Sequence, residues 1–346
     1  MVAEQDRRRR LLGVLRDLAA DGGSVALLPH ERFDADAIGA AISLAQVLTA
    51  IGCVATVMVD EAPPASMSHL PLLDIVKIYE PDASCAPFDF ALAVDCHEAD
   101  RLGARAACFS LSRLRGSVDH HVFSDEPGEL DLIVPTASST CELVYDIIQD
   151  LETLVARQLF DSRIATLLLA GMITDTGRYA YSNTTPACLR QAASLLERFS
   201  VDLSRLHYHL YERTSVGRLQ IKGDILASIV PVEDGRILTA HVTRDALNRR
   251  GVTDDDLAYF ASDIRAAEGN EVVFLFVETD DRQGVRINIR SNGCFDAAAF
   301  ARRFGGGGHL RAAGMTLRNT PLEQAVDMIV REAKTTLRAC LGEKTS

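Results

Sequence analysis

The chain has 346 residues, 47% hydrophobic and 24% charged, which excludes disordered and fibrous classes and predicts two domains at roughly 150 residues each. Its 48 Asp and Glu against 36 Lys and Arg give a net charge of -12. That balance excludes a non-specific coat for long duplex DNA, which needs surplus cations, but not a short anionic ligand held by a local basic patch or by metal ions.

Residues 6–20 predict an amphipathic helix, with Leu11, Leu12, Val14, Leu15 and Leu18 as its apolar stripe and Arg7–Arg10 as its solvated start. Gly22 and Gly23 stop it. Ser24–Leu28, Cys53–Val59 and Phe90–Val94 read as buried strands, Ala106–Phe109 and Gly116–Val118 as weaker ones, and Asp131–Val134 as a further one. Ile38–Ile51, Ser138–Leu154 and Asp161–Met172 read as helices. Short buried strands alternating with helices predict an α/β fold with a doubly wound parallel sheet. Beyond about residue 200 the pattern changes. Tyr211–Ile225 and Thr253–Ala267 read as helices and Ile237–Val242 as a strand. Glu271–Glu278 and Gly284–Arg290 form a predicted hairpin around Asp280 and Asp281. Asp296–Phe304 then reads as a helix that opens into Gly305–His309, and Met315–Leu317 as a closing strand. The expected organisation is a first domain over 1–200, a helical linker over 201–222 and a smaller mixed α/β domain over 223–346.

None of the eight cysteines forms a C-x-x-C pair, and eight is too few for a disulfide scaffold, so most are expected to be buried thiols. The apolar stretch at the start ends at Arg16, too short for a signal peptide. The longest apolar run, near Ile164–Ile173, falls short of a membrane span, and the expected location is the cytoplasm.

The informative feature is where Asp and His fall. His30, Asp34 and Asp36 follow the first strand, Asp95 ends the third, and Asp119, His120 and His121 follow the next. Asp175 follows the apolar Ile164–Ile173 segment. In an open parallel sheet, ligands bind outside the carboxyl ends of the strands, so the four clusters are expected on one rim. Converging carboxylates repel unless cations neutralise them. Oxygen and imidazole donors suit Mn²⁺, Mg²⁺ or Zn²⁺, and about six ligands suggest two ions about 3.5–4 Å apart. Each piece alone has a plainer reading: Asp34 as a helix cap, Asp119–His121 as a polar turn, and Thr174–Gly177 as a turn closed by glycine.

His30-x3-Asp34-x-Asp36, Asp95 in VDCHEADRLG, Asp119-His120-His121 and Asp175 in TDTGRYAYSNT resemble the four motifs of the DHH phosphoesterases. Gly305–His309 followed by Arg311-Ala312-Ala313-Gly314 resembles the glycine-rich signature of the DHH-associated C-terminal domain. The likeness spans roughly 20–320. Within the superfamily it is closest in pattern to the bifunctional oligoribonucleases, which also dephosphorylate 3'-phosphoadenosine 5'-phosphate. The first motif departs from the family's H-x-x-P-D-G-D, with Phe33 for Pro and Ala35 for Gly.

The resemblance implies roles. His30 and Asp34 would bind one ion, Asp36 and His120 the other, with Asp95 bridging and Asp175 completing the site. His121 would orient a phosphoryl oxygen or protonate the leaving group, with Asp119 holding His120. Two ions, most simply Mn²⁺ with Mg²⁺ or Co²⁺ as substitutes, would activate hydroxide for in-line attack on phosphorus. Arg290, Ser291, Gly306, Gly307, Gly308, His309 and Arg311 would contact substrate, with Arg101, Arg178 and Tyr179 as weaker candidates. Residues 282–311 carry six arginines against only Asp296, an excess that suits phosphate. A glycine run is otherwise a flexible linker.

The leading expectation is hydrolysis of very short RNA to mononucleotides, with 3'-phosphoadenosine 5'-phosphate phosphatase activity. The alternatives are a cyclic- or linear-dinucleotide phosphodiesterase, then a manganese pyrophosphatase or a non-catalytic nucleotide sensor. Trp is absent and no OB-fold pattern appears, so an extended stacking track for long strands is not expected. The resemblance also implies a homodimer.

Overall fold

In the computed structural model, residues 2–80, 87–123, 126–257 and 260–342 are described. The chain divides into two compact units, Met1–Arg213 and Thr214–Ser346.

The first unit is built on six strands: β1 (Ser24–Pro29), β2 (Val54–Val59), β3 (Val76–Ile78), β4 (Phe90–Val94), β5 (Leu114–Asp119) and β6 (Asp131–Ile133). They lie in the order β3-β2-β1-β4-β5-β6, every neighbouring pair parallel. The helices are α1 (Val2–Asp21), α2 (Ala35–Ile51), α3 (Ala106–Leu111), α4 (Thr140–Val155), α5 (Ser162–Asp175), α6 (Pro186–Arg198) and α7 (Leu203–His207). The central strands β1 and β4 read as apolar runs because both faces of the sheet are covered there. Val25, Leu27, Phe90, Leu92 and Val94 enter the large core beside residues of α1, α2, α4 and α5. Their alternates Ala26, Leu28, Ala91 and Ala93 pack with Cys96, Leu102 and Cys108 on the other face. Strand order reverses between β1 and β4, the point where such sheets open a crevice at their carboxyl ends.

The second unit holds α8 (Val216–Ala227), β7 (Val230–Val232), β8 (Ile237–Val242), α9 (Arg244–Arg250), α10 (Phe260–Arg265), β9 (Val272–Glu278), β10 (Gly284–Ser291), α11 (Ala297–Arg302), β11 (Gly307–His309), β12 (Ala312–Arg318) and α12 (Leu322–Leu341). Its sheet runs β11-β12-β10-β9-β8-β7 and is mixed, with only the β8–β9 pair parallel. The predicted hairpin is β9–β10.

Several expectations are corrected. Ala106–Phe109 is helical and belongs to α3, not to a strand. The glycine run is not wholly a loop, since Gly307–His309 pairs with Ala312–Gly314 as β11. The helix expected over 253–267 is broken into a short turn at Asp254–Leu257 and α10, while α9 and the three-residue β3 lacked a long enough period to be read. The arginine run is only partly solvated: Arg8 pairs with Asp146 and Asp150 of α4, and Arg10 with Glu129. Cys53, Cys96, Cys141 and Cys188 are buried thiols as expected, whereas Cys294 is joined to Cys340 and Cys108 is also disulfide-bonded. The Cys294–Cys340 partners are 46 residues apart, and only the return of α12 brings them together. Cys85 lies outside the described residues. Among the described residues, no helix is long and apolar enough to cross a membrane.

Candidate active site

β1, β4 and β5 each deliver one cluster at their carboxyl ends. His30 follows β1, and its Nδ1 donates to the Glu31 carbonyl at 2.6 Å. A carbonyl only accepts, so the neutral ring keeps its lone pair on Nε2, which lies 3.4 Å from Asp95 Oδ2. Asp34 is indeed a helix cap: its Oδ1 accepts the N–H groups of Asp36 and Ala37, both at 3.0 Å. It also belongs to a group with His30 and Asp95 whose donor atoms lie within 4.8 Å of one another. The cap and the site role therefore coexist in one side chain. Phe33 and Ala35, the departures from the family pattern, are buried in the core and hold this loop by packing.

Two more groups of the same tightness overlap the first: Asp36 with His120 and Asp175, and Asp95 with His120 and His121. Nε2 of His120 is 2.9 Å from Asp175 Oδ2, 3.6 Å from Asp95 Oδ1 and 4.0 Å from Asp36 Oδ2. Asp175 differs from the other acids in origin. It is the last residue of α5, so one corner of the cluster comes from a helix end, not a strand end. Asn183 ties that end down by donating to the Asp175 and Ser138 carbonyls.

The electrostatics are those of anions gathered without a counter-charge. Burial first, and then the fields of Asp95, Asp175 and Asp34, hold the Asp36 carboxyl well above the usual carboxylate range. For His120, burial opposes the charged ring, but the hydrogen bond to Asp175 and the nearby carboxylates outweigh it and raise its pKa to about 9. Both shifts report the same unmet need for positive charge. A set of carboxylate oxygens and imidazole nitrogens with two shared members, Asp95 and His120, fits a pair of divalent cations. Backbone strain occurs here as well. Asp95 has φ 62°, and Arg178 and Tyr179, just after Asp175, have φ 65° and 62°.

Asp119 does not hold His120, as the resemblance implied. It accepts from His121 Nδ1 at 2.8 Å and from His97 Nδ1 at 2.5 Å. Burial disfavours its charge, but these two imidazoles and the His121 N–H keep its carboxyl well below the usual range. The switch has a simple cause. Asp119 is the last residue of β5, and its Oδ1 also accepts the His121 peptide N–H at 3.0 Å, a local turn that brings the His121 ring back onto Asp119.

Arg101 and the substrate residues of the second unit lie outside these groups. The Arg101 carbonyl accepts from Glu31 N–H at 2.8 Å. Arg178 stacks over the Tyr211 ring at 4.9 Å, and Tyr179 packs against the large core of the first unit. In the second unit, Arg290 Nε donates to Ser262 Oγ at 3.2 Å, and Arg311 donates to the Asn292 carbonyl at 2.8 Å. Ser291 is buried, with its hydroxyl donated to the Leu310 carbonyl. Gly306 leads into β11, where Gly307, Gly308, at φ 140°, and His309 pair with Gly314, Ala313 and Ala312. The local excess of arginine is smaller than it reads in sequence, because Arg282 pairs with Asp245, Arg286 with Asp254 and Arg303 with Glu332.

Two residues at these groups, and one beside Arg290 in the second unit, were not foreseen. His97 clamps Asp119, Thr140 donates to two of the clustered carboxylates, and Arg265 donates to Asn292 Oδ1 at 3.1 Å beside Arg290. His97 stands two residues after Asp95, a spacing that was in view. Thr140 and Arg265 carry no sequence signal.

Known proteins show the same order of parts. The DHH family, N-terminal domain, matches residues 24–172, and the DHHA1 domain matches residues 234–339. A protein of Thermus thermophilus named bifunctional oligoribonuclease and PAP phosphatase NrnA is 32% identical over 92% of this chain and 91% of its own. The chain belongs to the DHH family. As a DHH phosphoesterase it is a hydrolase of phosphoester bonds. Its fold is shared by an exopolyphosphatase-related protein of Bacteroides fragilis, with a TM-score of 0.81, 20% identity and coverage of 97% of this chain and 98% of that one. The exonuclease RecJ bound to manganese has the same fold at a TM-score of 0.57, with 14% identity and coverage of 96% and 94%.

Proposed function

We propose that this DHH protein is a manganese-dependent phosphodiesterase that degrades very short oligoribonucleotides to mononucleotides in the cytoplasm and removes the 3'-phosphate of 3'-phosphoadenosine 5'-phosphate. The observation that carries this reading is the set of three overlapping His and Asp groups on one rim of a parallel sheet. The name of the Thermus relative supports the substrate class.

His30, Asp34 and Asp95 would hold one cation, and Asp36, His120 and Asp175 the other, with Asp95, which is also grouped with His120, serving both. Bound divalent cations supply Lewis acidity at a phosphoryl group and acidify water. The remaining steps belong to side chains. Asp119 stays ionised, accepts the Nδ1 proton of His121 and favours the imidazolium, whose second proton, on Nε2, would pass to the leaving oxygen. Arg290, Arg311 and His309, with the amides of Gly306–Gly308, bind substrate phosphates, and bidentate guanidinium contacts give them geometric selectivity. Ser291 supports this group by pinning Leu310.

A substrate panel with Mn²⁺ tests the reading. A 5'-phosphorylated RNA dinucleotide and 3'-phosphoadenosine 5'-phosphate are expected to turn over fastest, and a long RNA and pyrophosphate slowest. Fastest turnover of a cyclic dinucleotide, or of pyrophosphate, would replace the proposed substrate class.

A further inference from the structure

Thr140 opens α4 and stands in none of the motifs described above. Its peptide N–H donates to Asp36 Oδ2 at 2.7 Å, and its hydroxyl donates to Asp95 Oδ1, also at 2.7 Å. Cys141 N–H takes the other Asp36 oxygen at 2.9 Å. Thr140, Asp36 and Asp95 are all fully or almost fully buried. One residue thus grips two carboxylates from separate elements, the first turn of α2 and the residue after β4. These carboxylates also fall in different groups, Asp36 with His120 and Asp175, and Asp95 with His30 and Asp34.

The grip is itself anchored. Ser139 caps α4 by accepting the Glu142 N–H at 3.1 Å, and Glu142 accepts the Ser138 N–H at 2.8 Å. Asn183 fixes the Ser138 carbonyl at 2.9 Å. The start of α4 is therefore a fixed platform whose free amides and positive dipole end face Asp36. The torsion that spins a carboxylate about its own axis is soft. For Asp95 this matters, because Oδ2 faces His30 while Oδ1 faces His120 and His121. A donor on Oδ1 that leaves its remaining lone pair open holds the two oxygens toward their two separate neighbours.

We infer that Thr140 is a positioning residue, whose hydroxyl sets the orientation of Asp95 and so the relation between the two halves of the cation site. This rests on the two-cation reading proposed above. Thr140→Val keeps the shape and the N–H on Asp36 but removes the hydroxyl, and Thr140→Ser restores it. Mn²⁺ binding to the EDTA-treated full chain, read by calorimetry without substrate, is expected to weaken about 10–100-fold in Thr140→Val, the range for lost outer partners of metal ligands. Thr140→Ser is expected to bind as wild type. At saturating Mn²⁺, Thr140→Val should lower kcat for a dinucleotide and leave KM unchanged. Wild-type Mn²⁺ affinity in folded Thr140→Val overturns the inference, even if its melting temperature falls, because that pattern belongs to a purely structural residue. Should Thr140→Val fail to fold, Thr140→Ala against Thr140→Ser makes the same comparison. Wild-type protein that binds no Mn²⁺ would overturn this inference and the two-cation reading together, whereas binding without dinucleotide turnover would remove only the proposed substrate.

Discussion

Asp95→Ala is expected to lower kcat/KM for an RNA dinucleotide at least about 1,000-fold, about 4 kcal/mol of barrier, while the protein stays folded. The loss is large because Asp95 meets several partners at once. Its Oδ2 lies 3.4 Å from His30, and its Oδ1 lies 3.6 Å from His120 and 3.7 Å from His121. It is shared by two of the three donor groups, so its removal empties both of a carboxylate. The fold survives because this side chain adds repulsion as well as contacts. Asp95 is the first charge, after burial itself, that pushes the Asp36 carboxyl upward. Deleting it relieves that strain in the metal-free protein and leaves the Thr140 hydroxyl unpaired, two effects of opposite sign. Circular dichroism and a melting curve check the fold, and a dinucleotide assay checks the chemistry. Turnover within tenfold of wild type would contradict the shared role of Asp95.

Gly171→Ala is expected to abolish Mn²⁺ binding and to destabilise the protein by about 1–3 kcal/mol, the usual cost of overfilling a packed core. Gly171 lies in α5 where it passes α2. A Cβ there would stand 2.4 Å from Cys141 Sγ, 2.5 Å from Asp36 Oδ1 and 2.9 Å from Asp36 Cα. Alanine is better than glycine in a helix by roughly 1 kcal/mol. That gain loses, because one of the obstructing atoms is backbone and another is a carboxylate oxygen already held by α4. Relief requires Asp36 to move away from His120 and Asp175. A melting temperature and a Mn²⁺ titration of the variant read both effects. Unchanged Mn²⁺ affinity would show that Asp36 is not needed where it stands.

The parts of the site that were legible in sequence share a physical reason. His30, Asp95 and Asp119 sit at or just after strand ends, and in a sheet of this order the carboxyl ends of β1, β4 and β5 lie side by side. Apolar runs of the right length locate such strands without further knowledge. Asp175 was in the right motif, but its carrier is the end of a helix, and periodicity finds a helix without aiming it. The resemblance put Asp119 on His120, whereas the turn just past β5 pairs it with His121 and leaves His97 to close the other side. Thr140 was invisible because its role is made by contacts more than 40 residues away, to Asp36 and Asp95. The arginine excess near the glycine run was overread for the same reason, since Asp245, Asp254 and Glu332 cancel part of it from outside the counted window.

The most direct test of the central claim is a Mn²⁺ titration of EDTA-treated wild-type protein, with bound ions counted by calorimetry and dinucleotide hydrolysis followed on the same samples. The account predicts two bound Mn²⁺ per chain, no turnover of the RNA dinucleotide before Mn²⁺ is added, and turnover that rises as the second ion binds. Full turnover in the metal-free protein, or two bound ions with no hydrolysis of any short RNA, would contradict it.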